Sequence, residues 1–114
     1  MTTQKLRQYE FIYLIQPEAN DEARAKLQEL LEATVADFNG AIQKAESWGK
    51  RKLAYEIKKL NKAYYQYNLL SGLPGMTEEL ERIFRLRDDC IRFLTIKVAD
   101  HFQPADEAES AESE

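Results

Sequence analysis

Residues 41–72 read AIQKAESWGKRKLAYEIKKLNKAYYQYNLLSG, and how this stretch pairs with itself decides the fold. Over 41–57, Ile42, Trp48, Leu53, Tyr55 and Ile57 are separated by polar residues, as in a long half-buried strand. Gly49 interrupts the run and predicts a bulge that bends it. KKLNKA at 58–63 reads as a turn, and YYQYNLLSG at 64–72 as the returning strand. Alternation along that second strand is poor on both sides, so its faces stay unassigned. The expectation is a central hairpin.

Working outward, QYEFIYLIQ at 8–16 reads as a strand ended by Pro17. Tyr9, Phe11, Tyr13 and Ile15 share one face, while Ile12 and Leu14 share the other. Both faces are partly apolar, so this strand belongs inside a sheet. Asn20 is the expected N-cap of a helix over about 21–38, with Asp21 and Glu22 in its first turn. Ala23, Leu27, Leu30, Leu31, Thr34 and Phe38 form its apolar stripe, and Asn39-Gly40 its stop, with glycine expected in the left-handed conformation.

Beyond the hairpin, Pro74-Gly75 breaks the chain, and Thr77 is the expected cap of a second helix carrying Leu80, Ile83 and Phe84. Asp88-Asp89 closes that helix, and CIRFLTIKV at 90–98 is a last β-rich strand. The order strand, helix, strand, strand, helix, strand predicts an α+β ferredoxin-like βαββαβ fold. A four-stranded antiparallel sheet then carries both helices on one face and leaves the other face open.

Charge divides the chain. From Asp100 onward there are six acids and no Lys or Arg, which leaves 14 acids against 16 bases in residues 1–99. The body is therefore +2 and the end −6, within an overall −4. The reading is one domain over 1–99 followed by an acidic, disordered tail over 100–114. Within the body, residues 44–62 hold seven cations against Glu46 and Glu56, a local +5 that the overall charge conceals. No run of about 18 apolar residues exists, so no membrane span is expected. The opening MTTQKLRQYE has no apolar signal core, and Cys90 is the single cysteine, which suits a reducing, cytoplasmic setting.

Signals for catalysis are thin. His101 is the only histidine, Cys90 has none near it in sequence, and no zinc-ligand spacing or glycine-rich phosphate loop occurs. No cofactor or metal is expected. Acylphosphatase shares this element order, so an enzyme of that type, or a small-molecule regulatory domain, remains an alternative. The basic hairpin has two readings. Its cations and the nearby Trp48, Tyr55, Tyr64, Tyr65 and Tyr67 suit RNA phosphates and bases. They equally suit a solvated edge protected from aggregation, with tyrosines as cross-strand packing. An RNA recognition motif fits poorly, because AYYQYNLLSG lacks the Gly-aromatic pattern of that third strand.

The segments YEFIYLIQP, WGKRKLAYEIKK, AYYQYNLL and RLRDDCIRFLTIKV together resemble the bacterial small-subunit ribosomal protein six family, over about residues 7–98. WGKRKLAYEIKK is the specific part; Ala63, where many members have glycine, is a departure that touches the hairpin turn. The resemblance implies a structural component of the small ribosomal subunit, without enzymatic activity. It would bind the central domain of small-subunit ribosomal RNA together with small-subunit ribosomal protein eighteen. The matching cations Lys50, Arg51, Lys52, Arg87 and Arg92, with Arg7 near the basic start, become the candidate RNA contacts. Leu53, Ala54 and Tyr55 would shape strand and core. Ile12 and Leu14, turned away from the helix-facing set, become the candidate contacts for protein eighteen.

Overall fold

The computed structural model describes residues 6–101. Its elements are β1 (Arg7–Ile15), α1 (Asp21–Asp37), β2 (Ala41–Ile57), β3 (Leu60–Gly72), α2 (Met76–Arg85) and β4 (Cys90–Ala99). The strands form one antiparallel sheet in the order β2-β3-β1-β4. This is the ferredoxin-like βαββαβ arrangement expected from the element order. Most of the acidic tail, from residue 102, lies outside the described residues, so its expected disorder belongs there too. No helix among the described residues is long and apolar enough to cross a membrane.

Period-two patterning along β1 splits the interior into two clusters. Tyr9, Phe11, Tyr13 and Ile15 face the helices and pack with Leu27, Leu31 and Val35 of α1 and with Leu80 and Phe84 of α2. The Phe84 ring centroid lies 5.2 Å from that of Phe11, edge to face, and 4.8 Å from that of Tyr13, distances at which aromatic pairs attract beyond their area. On the opposite face Leu14 joins Leu53, Ala63 and Ile91 in a smaller cluster, flanked by Ile12, Ile57, Leu60 and Tyr65.

The irregular alternation of β3 has a physical cause. Its even-numbered residues pair with helix-facing residues of β1, and among them Asn68 is fully buried. The Asn68 carboxamide donates to the Phe11 carbonyl oxygen at 3.2 Å and accepts from Gln28 Nε2 at 2.9 Å. Gln28 Oε1 in turn accepts from the Tyr13 hydroxyl at 2.7 Å. A satisfied polar chain thus lies on the buried face of a strand whose faces the alternation left unassigned, and it ties α1 to the two central strands.

Three local expectations change. Asn20 caps α1 as expected, its side chain accepting from the Ala23 amide. At the other end it is Asn39, at φ 55°, and not Gly40 that turns left-handed. Gly40 is required for space instead: a Cβ there would run into the Ser71 carbonyl oxygen on β3. The cap of α2 is Gly75, at φ 99°, and not Thr77, whose hydroxyl donates to Glu78. The turn over 58–63 narrows to Lys58-Lys59, and buried Ala63 lies beyond it in β3, so the departure at Ala63 leaves the turn untouched.

Candidate nucleic-acid and partner interface

The pairing of β1 with β3 ends at Ile15 opposite Tyr64. Residues 60–63 of β3 and their partners in β2 therefore continue as a two-stranded ribbon past the main sheet. In such a ribbon directly opposed residues share a face, and here the face carrying Ala63 packs against Leu14 and Ile91. Arg51 opposes Ala63, which belongs to the open-face cluster, whereas Lys50 opposes Tyr64 and Lys52 opposes Lys62 on the helix side. The three consecutive cations thus serve two surfaces.

Trp48 organises the open face. Ser47 pairs with Gln66 and Gly49 with Tyr65, so Trp48 is the extra residue of a bulge, and Gly49 at φ 81° supplies the conformation it needs. The expected bend at Gly49 is therefore present. The indole stacks 5.3 Å from Tyr67 at 10° and 6.5 Å from Tyr65 at 21°. Its Nε1 donates to Glu46 at 3.0 Å, and this bond, with Lys44 beside it, holds the Glu46 carboxyl below its usual range. The Arg51 guanidinium lies 5.3 Å over the indole and donates from Nε to the Trp48 carbonyl at 3.1 Å. The cation beside the bulkiest aromatic is thus stacked on it and presented outward.

A second irregularity builds a groove. Lys52 pairs with Lys62 and the next pair is Ile57 with Leu60, so Leu53–Glu56 bow out of the ladder. Leu53 turns inward and is buried, as expected, while Tyr55 is 62% exposed rather than part of the core. Arg92 Nη1 donates to the Tyr55 hydroxyl at 2.7 Å and tethers the bowed segment to β4. The result is a groove of about 270 Å³ lined by Ile12, Leu14, Trp48, Leu53, Tyr55 and Leu94. Beside it Leu94, Ile96 and Val98 of edge strand β4 are 50%, 41% and 49% exposed.

The candidates do not form one site. Arg92 opposes Leu14 on the open face beside the groove. Arg87 follows α2 just before Cys90, which pairs with Ile15, so it lies at the hairpin end of the sheet. Arg7 pairs with Gly72 at the other end of the nine-residue β1, roughly 25 Å away by strand rise, beside Pro74, Asp100 and His101. Ile12 and Leu14 line the groove together. Lys58, Lys59 and Lys62 were counted in the basic segment but not singled out as contacts, and the exposed β4 stripe escaped sequence reasoning. A hairpin with two-residue alternation could have placed Lys62 opposite Lys52, but the turn boundary was set too wide.

Burial pushes the Cys90 thiol up to about 11, with a smaller opposing effect from a backbone hydrogen bond at Arg92, so the sulfur is held as the thiol at neutral pH. It is a free cysteine packed in the main core.

Residues 8–97 match the family model of ribosomal protein S6. A small ribosomal subunit protein bS6 of Caldanaerobacter subterraneus subsp. tengcongensis is 37% identical over 95 residues, covering 83% of this chain and 100% of that protein. The bS6 protein of Moorella thermoacetica is 32% identical over 95 residues, covering 83% and 97%. The crystal structure of 30S ribosomal protein S6 from Thermotoga maritima superposes with a TM-score of 0.76 at 30% identity, over 96% of this chain and 98% of that one. The specific WGKRKLAY segment, the sheet order and these similarities converge: the chain belongs to the ribosomal protein S6 family.

Proposed function

We propose that the protein is a structural, non-catalytic component of the small ribosomal subunit in the cytoplasm, binding the central domain of small-subunit ribosomal RNA jointly with small-subunit ribosomal protein eighteen. The observation that carries this reading is the cationic hairpin end. The ion pairs among the described residues are Arg24–Asp21, Lys44–Glu46, Arg82–Glu79 and Lys97–Asp100, so exposed Lys50, Arg51, Lys52 and Arg92 and half-buried Arg87 have no carboxylate partner among the described residues. Cations left unpaired in this way are available to displace counterions from phosphate. Phosphate contacts would position the protein, and RNA shape would supply specificity.

The apolar groove beneath Trp48 and Tyr55 supports protein eighteen as the second ligand. Its Ile12 and Leu14 floor continues into the exposed Leu94, Ile96 and Val98, a patch of the kind that marks protein contact. Arg51 and Arg92 stand at its rim, so a protein seated there would extend their positive surface. Arg7, at the far end, would meet a separate stretch of RNA.

The body carries only +2, so the joint surface should matter. Titrating a central-domain transcript with this protein, with protein eighteen and with the pair tests it. Tighter binding by the pair is expected, and Arg51→Glu with Arg92→Glu should weaken it. Equal affinity of the pair and of this protein alone would refute joint binding, and no RNA binding by the pair would refute the function.

A further inference from the structure

The hairpin tip violates three local rules together. Lys58 and Lys59 both adopt left-handed φ, 53° and 68°. A two-residue turn of that kind favours Asn-Gly or Asp-Gly, because the Cβ of any other L-residue crowds the backbone. Lys52 and Lys62 stand directly opposite each other, a like-charge pair that weakens a ladder. None of Lys50, Lys52, Lys58, Lys59 and Lys62 takes part in the ion pairs among the described residues. A ribbon selected for stability alone would carry none of these features. Concerted violations on one small surface mark a place shaped by binding.

That surface is distinct from the apolar groove. Lys50, Lys59 and Lys62 line a depression of about 520 Å³ on the helix side of the ribbon, together with Pro17, Glu18, Leu60 and Asn61. Lys50 also reaches Tyr64, outside the depression, whose ring centroid lies 5.2 Å from the Lys50 ammonium and 4.0 Å from the guanidinium of Arg24, itself paired with Asp21. Glu18 is the only carboxylate among the residues that line the depression. Leu60 and Pro17 are the apolar members of its lining, and no aromatic anchor of the sort that protein interfaces use is among them. Lysines alternating along a strand face are roughly 6.8 Å apart, so an extended sugar-phosphate chain can meet them phosphate by phosphate. Lysine ammonium groups act on phosphate as point charges without base readout.

We infer that the hairpin divides its two ligands by face: the lysine-lined depression of Lys50, Lys59 and Lys62, extended by Lys52 and Lys58, grips one segment of RNA phosphodiester backbone, while the open-face groove is left to the protein partner. This rests on the RNA-binding reading above and adds Lys58, Lys59 and Lys62 to its contacts. The sequence gives up local stability at the turn to hold these charges outward. Turn stability and RNA affinity are therefore opposed at the same two residues.

The test uses the full chain paired with protein eighteen and a central-domain transcript as probe, titrated over salt. Lys59→Glu with Lys62→Glu should flatten the log–log salt dependence by roughly 1.4 to 1.8, the loss of two phosphate contacts. Its association with protein eighteen without RNA should be unchanged. Lys58→Asn with Lys59→Gly should raise the thermal midpoint and still weaken RNA binding, a pairing of opposite signs that a merely structural turn would not give. If the wild-type pair binds RNA and both variants bind it with unchanged affinity and slope, the division by face is wrong and the RNA-binding function stands. Should Lys59→Glu with Lys62→Glu weaken protein eighteen binding and leave RNA binding alone, the depression is a protein site and the inference is overturned. Absence of RNA binding by the wild-type pair would defeat both readings.

Discussion

Replacing Trp48 with alanine should destabilise the whole domain, although the indole lies on its open face. Trp48 stacks on Tyr67 and Tyr65, each contact contributing about 0.5–1.5 kcal/mol beyond burial. Arg51 over the ring adds about 0.5–1 kcal/mol at an exposed site. The bulge sits where β3 is still paired to β1, at Gln66 and Tyr65 opposite Tyr13 and Leu14, so the loss is felt by the central sheet. Partial exposure and shared contacts bring the expectation to about 2–3 kcal/mol, a fall in thermal midpoint of roughly 8–20 °C for a domain this size. Circular dichroism melts of wild type, Trp48→Phe and Trp48→Ala would measure it. Phenylalanine keeps most of the stacking and loses the donor to Glu46. The Glu46 carboxyl is held low in the folded state, so its contribution is present above the unfolded carboxylate value and fades as pH falls through the folded one. Wild type should therefore lose more stability on acidification than Trp48→Phe. An alanine variant within about 0.5 kcal/mol of wild type would refute the idea that the indole braces the sheet.

Other expectations follow from the same contacts. Gly49→Ala meets no atom within 4 Å and bears only the left-handed conformation, about 1–2 kcal/mol, whereas Gly40→Ala must displace the Ser71 carbonyl and should cost more in denaturant melts despite its ordinary φ. Asn68→Leu removes the side-chain donor to the Phe11 carbonyl and leaves Gln28 Nε2 without its acceptor, and a loss of about 1–3 kcal/mol is expected by urea titration, not recovered by adding Gln28→Leu, which strips the Tyr13 hydroxyl of its acceptor. Native Cys90 should resist alkylation at pH 8 and react at the rate of unfolding. Because its folded value is raised, the associated stability is complete below the ordinary thiol value near 9 and lost as pH climbs through about 11, so alkaline melts should fall across that window. Rapid native alkylation, or a flat alkaline profile in wild type and Cys90→Ala alike, would contradict the burial.

The element order, the helix-facing set Tyr9, Phe11, Tyr13 and Ile15, the Asn20 cap and the bulge at Gly49 were all legible in the chain, because each rests on chemistry within a few residues. Pattern reading failed where a partner distant in sequence supplied the reason. Asn68 looks wrong for a buried strand position until Gln28 and the Phe11 carbonyl are beside it. Gly40 looks like a helix stop until the Ser71 carbonyl is found against it.

The same division holds for the candidate interface. Sequence by itself determined that cations concentrate at 44–62, that acids gather at the end, and that the order of elements leaves one sheet face uncovered. Only the tertiary structure decided which cations share a surface. Side chains alternate with period two, and β3 outruns β1, so Lys50, Arg51 and Lys52 diverge to opposite sides of a two-stranded ribbon. Arg92 meanwhile meets Tyr55, 37 residues away, because β4 runs antiparallel beside β1.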